Sequence, residues 1–139
     1  MVHIFKRIYC IIPFDKVKYR KTEEKKIMSA ENLRKLLNII CTEATTIVGS
    51  DLEEIILYGS YARGDFDSES DIDIALIVKT NRTDSVKYRK EIVNLMSDLS
   101  LDFDVLVSIS CIPRNDFDRY KEVLPYYRNI NCEGVRLSA

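Results

Sequence analysis

Gly59-Ser60-Tyr61-Ala62-Arg63-Gly64 and, six residues further on, Ser70-Asp71-Ile72-Asp73-Ile74 form the stretch on which the reading of this chain turns. Just before it, Glu54-Ile55-Ile56-Leu57-Tyr58 is a short β-rich run cut off by Gly59-Ser60. Just after it, Asp71 to Lys79 predicts a second strand, half-buried with one wet face. There Ile72, Ile74, Leu76 and Val78 share one face while Asp71 and Asp73 leave the other together. Between Asp65 and Asp73 stand five carboxylates in nine residues. Crowded like charges resist ionisation unless a divalent cation gathers their oxygens. Asp71 and Asp73 have the spacing to do so, whereas Asp65, Asp67 and Glu69 read as a solvated loop. Gly59, at the strand end, lets a phosphate approach the backbone; Ser60 adds a hydroxyl donor and Arg63 a positive charge.

Outward from this centre, the pattern changes period. Ser29 is placed as an N-cap, and Leu33, Leu36, Leu37, Ile40, Cys41, Ala44 and Ile47 recur at helical steps as far as Gly49. A second helical segment runs from about Thr83 to Leu99. A third strand is expected over Asp102 to Ile109, beginning with Asp102 and Asp104 opposite Phe103 and Val105, so that a neighbouring strand brings one more carboxylate to the same edge. Such oxygen donors suit Mg²⁺. Pro113 opens a short helix bearing Phe117 and Tyr120, and Leu124-Pro125-Tyr126-Tyr127 leads into a terminal turn or helix through Ile130 and Val135. The order predicts an α/β (α+β) fold, a small mixed β-sheet with helices packed against it.

The whole chain has 139 residues, 46% of them hydrophobic and 31% charged, which suits one soluble domain over residues 28–139. Residues 1–27 carry eight basic residues against three acids and read as a basic extension, not necessarily native; the total net charge of −1 therefore leaves the remainder at −6. With no global positive field, stable nucleic-acid binding is not expected. No apolar run reaches the roughly 20 residues a bilayer span needs, so a cytoplasmic, non-membrane protein is expected. Cys10, Cys41, Cys111 and Cys132 lack any C-x-x-C pairing and read as reduced thiols, and His3 is the only histidine. Neither a zinc site nor a histidine-based nucleophile has material to work with. Catalysis must rest on carboxylates, hydroxyls or an oxygen-held metal.

The two halves of the motif closely resemble the signature of the minimal nucleotidyltransferases of the DNA polymerase beta superfamily. The resemblance covers residues from about 29 to 137, including the tail from Pro125 to Ile130 with Glu133-Gly134. It implies a nucleotidyltransferase fold in which Gly59, Ser60, Arg63 and Ser70 hold nucleotide phosphates. It also implies two Mg²⁺ ions bound by Asp71 and Asp73, and a third carboxylate, Asp104 in preference to Asp102, that accepts the proton of the attacking hydroxyl. ATP is the implied nucleotide. Minimal members resemble antitoxins paired with HEPN-domain RNase toxins, some silenced by AMP transfer to a tyrosine, so protein AMPylation of a HEPN partner is the leading expectation. A non-catalytic antitoxin and a small-molecule nucleotidyltransferase are the alternatives, and assembly with itself or with a partner stays open. Tyr61 is read as a packing or nucleotide-stacking residue, and Tyr126 and Tyr127 chiefly as packing residues.

Overall fold

The structure, a computed structural model, describes residues 26–137; the expected basic extension lies outside them except for Lys26 and Ile27. The first helix, α1 (Ala30–Val48), starts where expected. Ser29 is extended and its hydroxyl accepts from the Asn32 amide at 3.1 Å, satisfying one of the amides that a helix start leaves without a partner. Leu36, Ile40, Ala44 and Val48 form its buried stripe. A short 3₁₀ turn (Gly49–Asp51) passes the chain to β1 (Leu52–Tyr58), which a single-turn helix α2 (Ser60–Arg63) follows. After the acidic loop come β2 (Ile72–Val78), a 3₁₀ turn (Asp84–Tyr88), α3 (Arg89–Phe103), β3 (Val107–Pro113), α4 (Arg114–Tyr120), α5 (Pro125–Glu133) and β4 (Val135–Leu137).

The sheet order is β3-β2-β1-β4, with β2 and β3 parallel and the other two pairings antiparallel. A tight turn serves an antiparallel pair, but a parallel pair needs a crossover, and α3 supplies it. This is the small mixed sheet with packed helices that the element order implies. Ile72, Ile74, Leu76 and Val78 of β2 enter the larger core with α1 and α3. The opposite face was expected to be wet throughout. Instead Ala75 and Ile77 join Ile56, Ile112, Phe117 and Ile130 in a second core under α4 and α5. Only Asp73, at the start of the strand, escapes that cover.

Two further expectations give way. The strand expected over Asp102 to Ile109 begins only at Val107, because the helical stripe of Ile92, Leu95 and Leu99 carries α3 on through Phe103. The alternation of Asp102, Phe103 and Asp104 imitates a strand where the chain is still finishing a helix. Asp102 is exposed on α3, and Asp104 caps it with φ 54° and ψ 43°, the only non-glycine residue with positive φ among the described residues. Aspartate is one of the few side chains that tolerates that region. The terminal segment, expected as one turn or helix through Val135, ends its helix at Glu133 and then adds β4 to the sheet, Leu57 pairing with Val135. Cys41, Cys111 and Cys132 are free thiols. No helix among the described residues is long and apolar enough to cross a membrane.

β3 is an edge strand, and two of its outward amides are met by α3 rather than by another strand. The Val107 amide donates to the Ser100 hydroxyl at 3.0 Å and the Ile109 amide points to the Met96 sulfur at 3.1 Å. This covers an edge that would otherwise template pairing with another chain. Ser100 is only 3% exposed, so Ser100→Ala leaves the Val107 amide buried without its acceptor. We expect a loss of about 1–3 kcal/mol in urea denaturation, with Ser97→Ala, exposed on the same helix, close to neutral.

Candidate active site

Antiparallel register sets Tyr58, the last residue of β1, beside Asp73, the second residue of β2. The next residue is Gly59, with φ 77° and ψ −157°, a conformation open essentially to glycine alone. A Cβ at Gly59 would stand 2.6 Å from the Asp73 Oδ2. Two constraints therefore demand glycine here, the backbone angle and the carboxylate pressed against it. The sequence suggests a phosphate approaching Gly59; the structure adds Asp73 on the same residue. From Gly59 the chain turns into α2, whose Ala62 and Arg63 amides both donate back to the Gly59 carbonyl at 3.1 Å.

Asp71 lies one residue before β2 and is partly exposed; Asp73 is partly buried, and between them Ile72 is fully buried in the larger core. Burial pushes the Asp73 carboxyl above the usual carboxylate range, the Asp71 charge pushes it further, and the Arg63 guanidinium opposes both. On the other flank Asp73 is in register with Ser108 of β3. Tyr58 shares this face. Its phenol is raised by burial, by the Tyr126 hydroxyl 3.3 Å away and by the Asp73 charge. Neither Tyr58 nor Ser108 stands out in the sequence as a site residue. Strand register alone brings them to Asp73, and register is invisible until the strand bounds are known.

The other expected residues sort differently. Arg63 donates from Nε to Asp65 Oδ2 at 3.3 Å and from Nη1 to Glu133 Oε2 at 3.2 Å. Ser70 staples the acidic loop: its hydroxyl donates to Asp67 Oδ1 at 3.1 Å and accepts from the Asp67 amide at 2.9 Å. Asp67 is thus a turn residue; the Glu69 amide and the Ser70 hydroxyl hold its carboxyl below the usual range. Tyr61 stacks on Phe66, ring centroids 4.2 Å apart at 9°, and is buried. Of the two roles expected of it, packing and nucleotide stacking, this contact is packing. Asp104 sits at the end of α3, two residues before Leu106, whose carbonyl accepts from the Ile72 amide at 2.8 Å. It reaches the entrance of the parallel pair from a helix end and not, as expected, from within a strand.

Among the described residues, no three His, Cys, Asp or Glu side chains gather into a group that could hold a metal ion. The chemistry of the donors still fits a hard divalent cation. Asp71 and Asp73 offer carboxylate oxygens from flanking positions of one buried residue, and the repulsion that raises the Asp73 carboxyl is what a cation relieves.

The mixed sheet with one parallel crossover thus carries, at one point, a glycine-serine turn held against one of two neighbouring carboxylates. The chain belongs to the nucleotidyltransferase domain family, whose model matches residues 33–133. It is similar to two proteins of Methanocaldococcus jannaschii. One, named "Putative protein adenylyltransferase MJ0141", is 42% identical over 66 residues, 48% of this chain and 65% of that protein. The other, named "Putative protein adenylyltransferase MJ0604", is 36% identical over 83 residues, 60% of this chain and 75% of that protein. The match thus spans less than two thirds of the first relative's length. A solved structure of a tri-AMPylated Shewanella oneidensis HEPN toxin in complex with MNT antitoxin is also similar. That likeness has 19% identity, covers 76% of this chain and 71% of that one, and gives a TM-score of 0.45.

The contact at Gly59 is directly testable. Gly59→Ala should cost at least roughly 1–3 kcal/mol from its backbone angle alone. Combined with Asp73→Ala, it should cost less than the sum of the two single changes, because the clash vanishes with the carboxylate. Urea denaturation of the three variants measures this. Strict additivity would mean that the two residues do not press on one another.

Proposed function

We propose that this chain transfers a nucleoside monophosphate, AMP from ATP, to a hydroxyl group, foremost a tyrosine of a partner HEPN toxin. The observation that carries the reading is the joining of the Gly59-Ser60 turn to Asp73. The element suited to phosphate and the acidic pair suited to a cation meet at one point of the sheet. The two relatives named as protein adenylyltransferases support AMP as the group transferred and a protein as acceptor. The partner's class rests on the likeness of the motif to minimal nucleotidyltransferases paired with HEPN toxins.

In this reading Gly59 and Ser60 receive the triphosphate at the end of β1, and Arg63 adds charge from the next turn. Ser70 acts through the loop, keeping Asp67 turned into its own amides and Asp71 correctly placed. Asp71 and Asp73, with Asp104 as the third carboxylate, would hold two Mg²⁺ ions. When bound, Mg²⁺ supplies charge neutralisation to the triphosphate and acidifies the attacking hydroxyl. Asp104 takes the acceptor proton. Its place at the end of α3 leaves it on a short cap between helix and strand. The tyrosine oxygen forms its bond to the α-phosphorus as the bond to pyrophosphate breaks, so phosphorus, charge and proton are all accounted for.

Mixed with the protein encoded beside it, ATP and Mg²⁺, the chain should add AMP in steps of about 329 Da, the mass fixed by the chemistry of transfer. EDTA or the Asp71→Asn/Asp73→Asn double change should abolish the addition. Neutralisation of the partner by the double variant with no mass added would replace the enzyme with a binding antitoxin. Within the same assay, Asp104→Asn should remove most transfer and Asp102→Asn little, since Asp102 points from the exposed side of α3. The reverse ranking would move the proton acceptor into the helix.

A further inference from the structure

We infer that Glu133 is a positioning residue for Arg63, fixing the guanidinium that faces the nucleotide's phosphates from the far end of the domain. The inference rests on the nucleotidyltransferase reading of the site and adds a residue to it.

The geometry begins with β4. Leu57 pairs with Val135 in antiparallel register, and Glu133, the last residue of α5, lies two residues before Val135. Glu133 ends α5, and its backbone has little freedom there. The Gly134 amide donates to the Ile130 carbonyl at 3.1 Å. A Cβ at Gly134 would stand 2.2 Å from that carbonyl oxygen and 2.4 Å from Cγ2 of Ile56, itself fully buried. The helix end is therefore clamped directly onto β1. Glu133 projects from this clamp and accepts from Arg63 Nη1 at 3.2 Å, 70 residues away in sequence, while Asp65 accepts from Nε at 3.3 Å.

An isolated exposed arginine pays rotamer entropy each time it engages a ligand. Two carboxylates on different nitrogens set the plane of the guanidinium in advance, and one of them is carried by the residue next to Gly134, whose backbone is packed against Ile56 of β1. Arg63 is also close enough to Asp73 for its charge to favour the ionised carboxylate. Both carboxylate partners carry negative charge of their own, so they weaken the field of Arg63 at a distance. Their contribution is orientation. Asp65 is only two residues from Arg63 along the same loop, whereas Glu133 ties the arginine to a distant segment that leads into β4.

The test uses the full chain with ATP, Mg²⁺ and, as acceptor, the protein encoded beside it. Glu133→Gln keeps the shape and removes the charge; the KM for ATP should rise roughly fivefold, the scale of an exposed ion pair, with kcat nearly unchanged. Glu133→Asp should recover part of the loss, and adenosine, which has no phosphates, should bind the parent and Glu133→Gln alike. Arg63→Gln should raise KM at least as much, and Arg63→Gln/Glu133→Gln should be no worse than Arg63→Gln alone. A Glu133→Gln protein with unchanged or lower KM, or costs that simply add, overturns the positioning role. If the parent itself fails to bind ATP in the presence of Mg²⁺, the nucleotidyltransferase reading fails and takes this inference with it. A Glu133→Gln protein that loses thermal stability but keeps its KM would mark the pair as purely structural and overturn the inference as well.

Discussion

The site depends on one contact, the seat of the Asp73 carboxylate against the Cα of Gly59. It requires a glycine with a backbone angle closed to other residues and the precise register that brings Tyr58 beside Asp73. Everything else around the site is arranged to hold that register. Ile72, fully buried between Asp71 and Asp73, locks the two carboxylates to the same side, since a slip of one residue would turn them into the core. On β1, Ile55 and Leu57 face the larger core while Ile56 faces the smaller one. Neither strand can slide without exposing apolar surface on two sides at once.

The five acids between Asp65 and Asp73 show how position overrides composition. Asp67 and Asp73 are six residues apart and carry the same side chain, yet their carboxyls shift in opposite directions. Asp67 is fed hydrogen bonds by the Glu69 amide and the Ser70 hydroxyl, which favour its charge. Asp73 is partly desolvated and faces Asp71, which disfavours its charge. The first arrangement costs little because loop amides are free to turn inward. The second is held in place by the sheet and is relieved only by a proton or a cation.

Much of this was legible before the fold was known, for physical reasons that can be named. The helical stripe of α1, its Ser29 cap and the apolar run of β2 are local signals, and local signals survive in a one-dimensional reading. The same holds for Gly59, Ser60 and the Asp71/Asp73 pair. What escaped was non-local. The partnership of Arg63 with Glu133, the approach of Tyr126 to Tyr58 and the addition of β4 to β1 depend on how distant segments meet. The third strand was misplaced because Asp102-Phe103-Asp104-Val105 satisfies the strand period, whereas tertiary packing of Leu95 and Leu99 keeps the helix going to Phe103.

That misplacement bears on the chemistry. A carboxylate within a strand is held by ladder hydrogen bonds on both sides, but Asp104 caps a helix with a left-handed backbone, just ahead of the pair formed by the Ile72 amide and the Leu106 carbonyl. Its flanks are secure: Ser100 and Leu99 are buried on α3, and Val105 and Val107 are buried after it. Only the cap itself departs from regular geometry, and such a departure persists where the surrounding structure over-determines it. The two carboxylates at the start of β2 are thus set by a central strand, and in the proposed mechanism Asp104 would join them from the junction of a helix and an edge strand. The first two are fixed relative to each other by Ile72. Asp104 precedes the parallel pairing of β2 with β3, so in the proposed mechanism the Ser100 contact that secures the outer edge of β3 would also support that carboxylate.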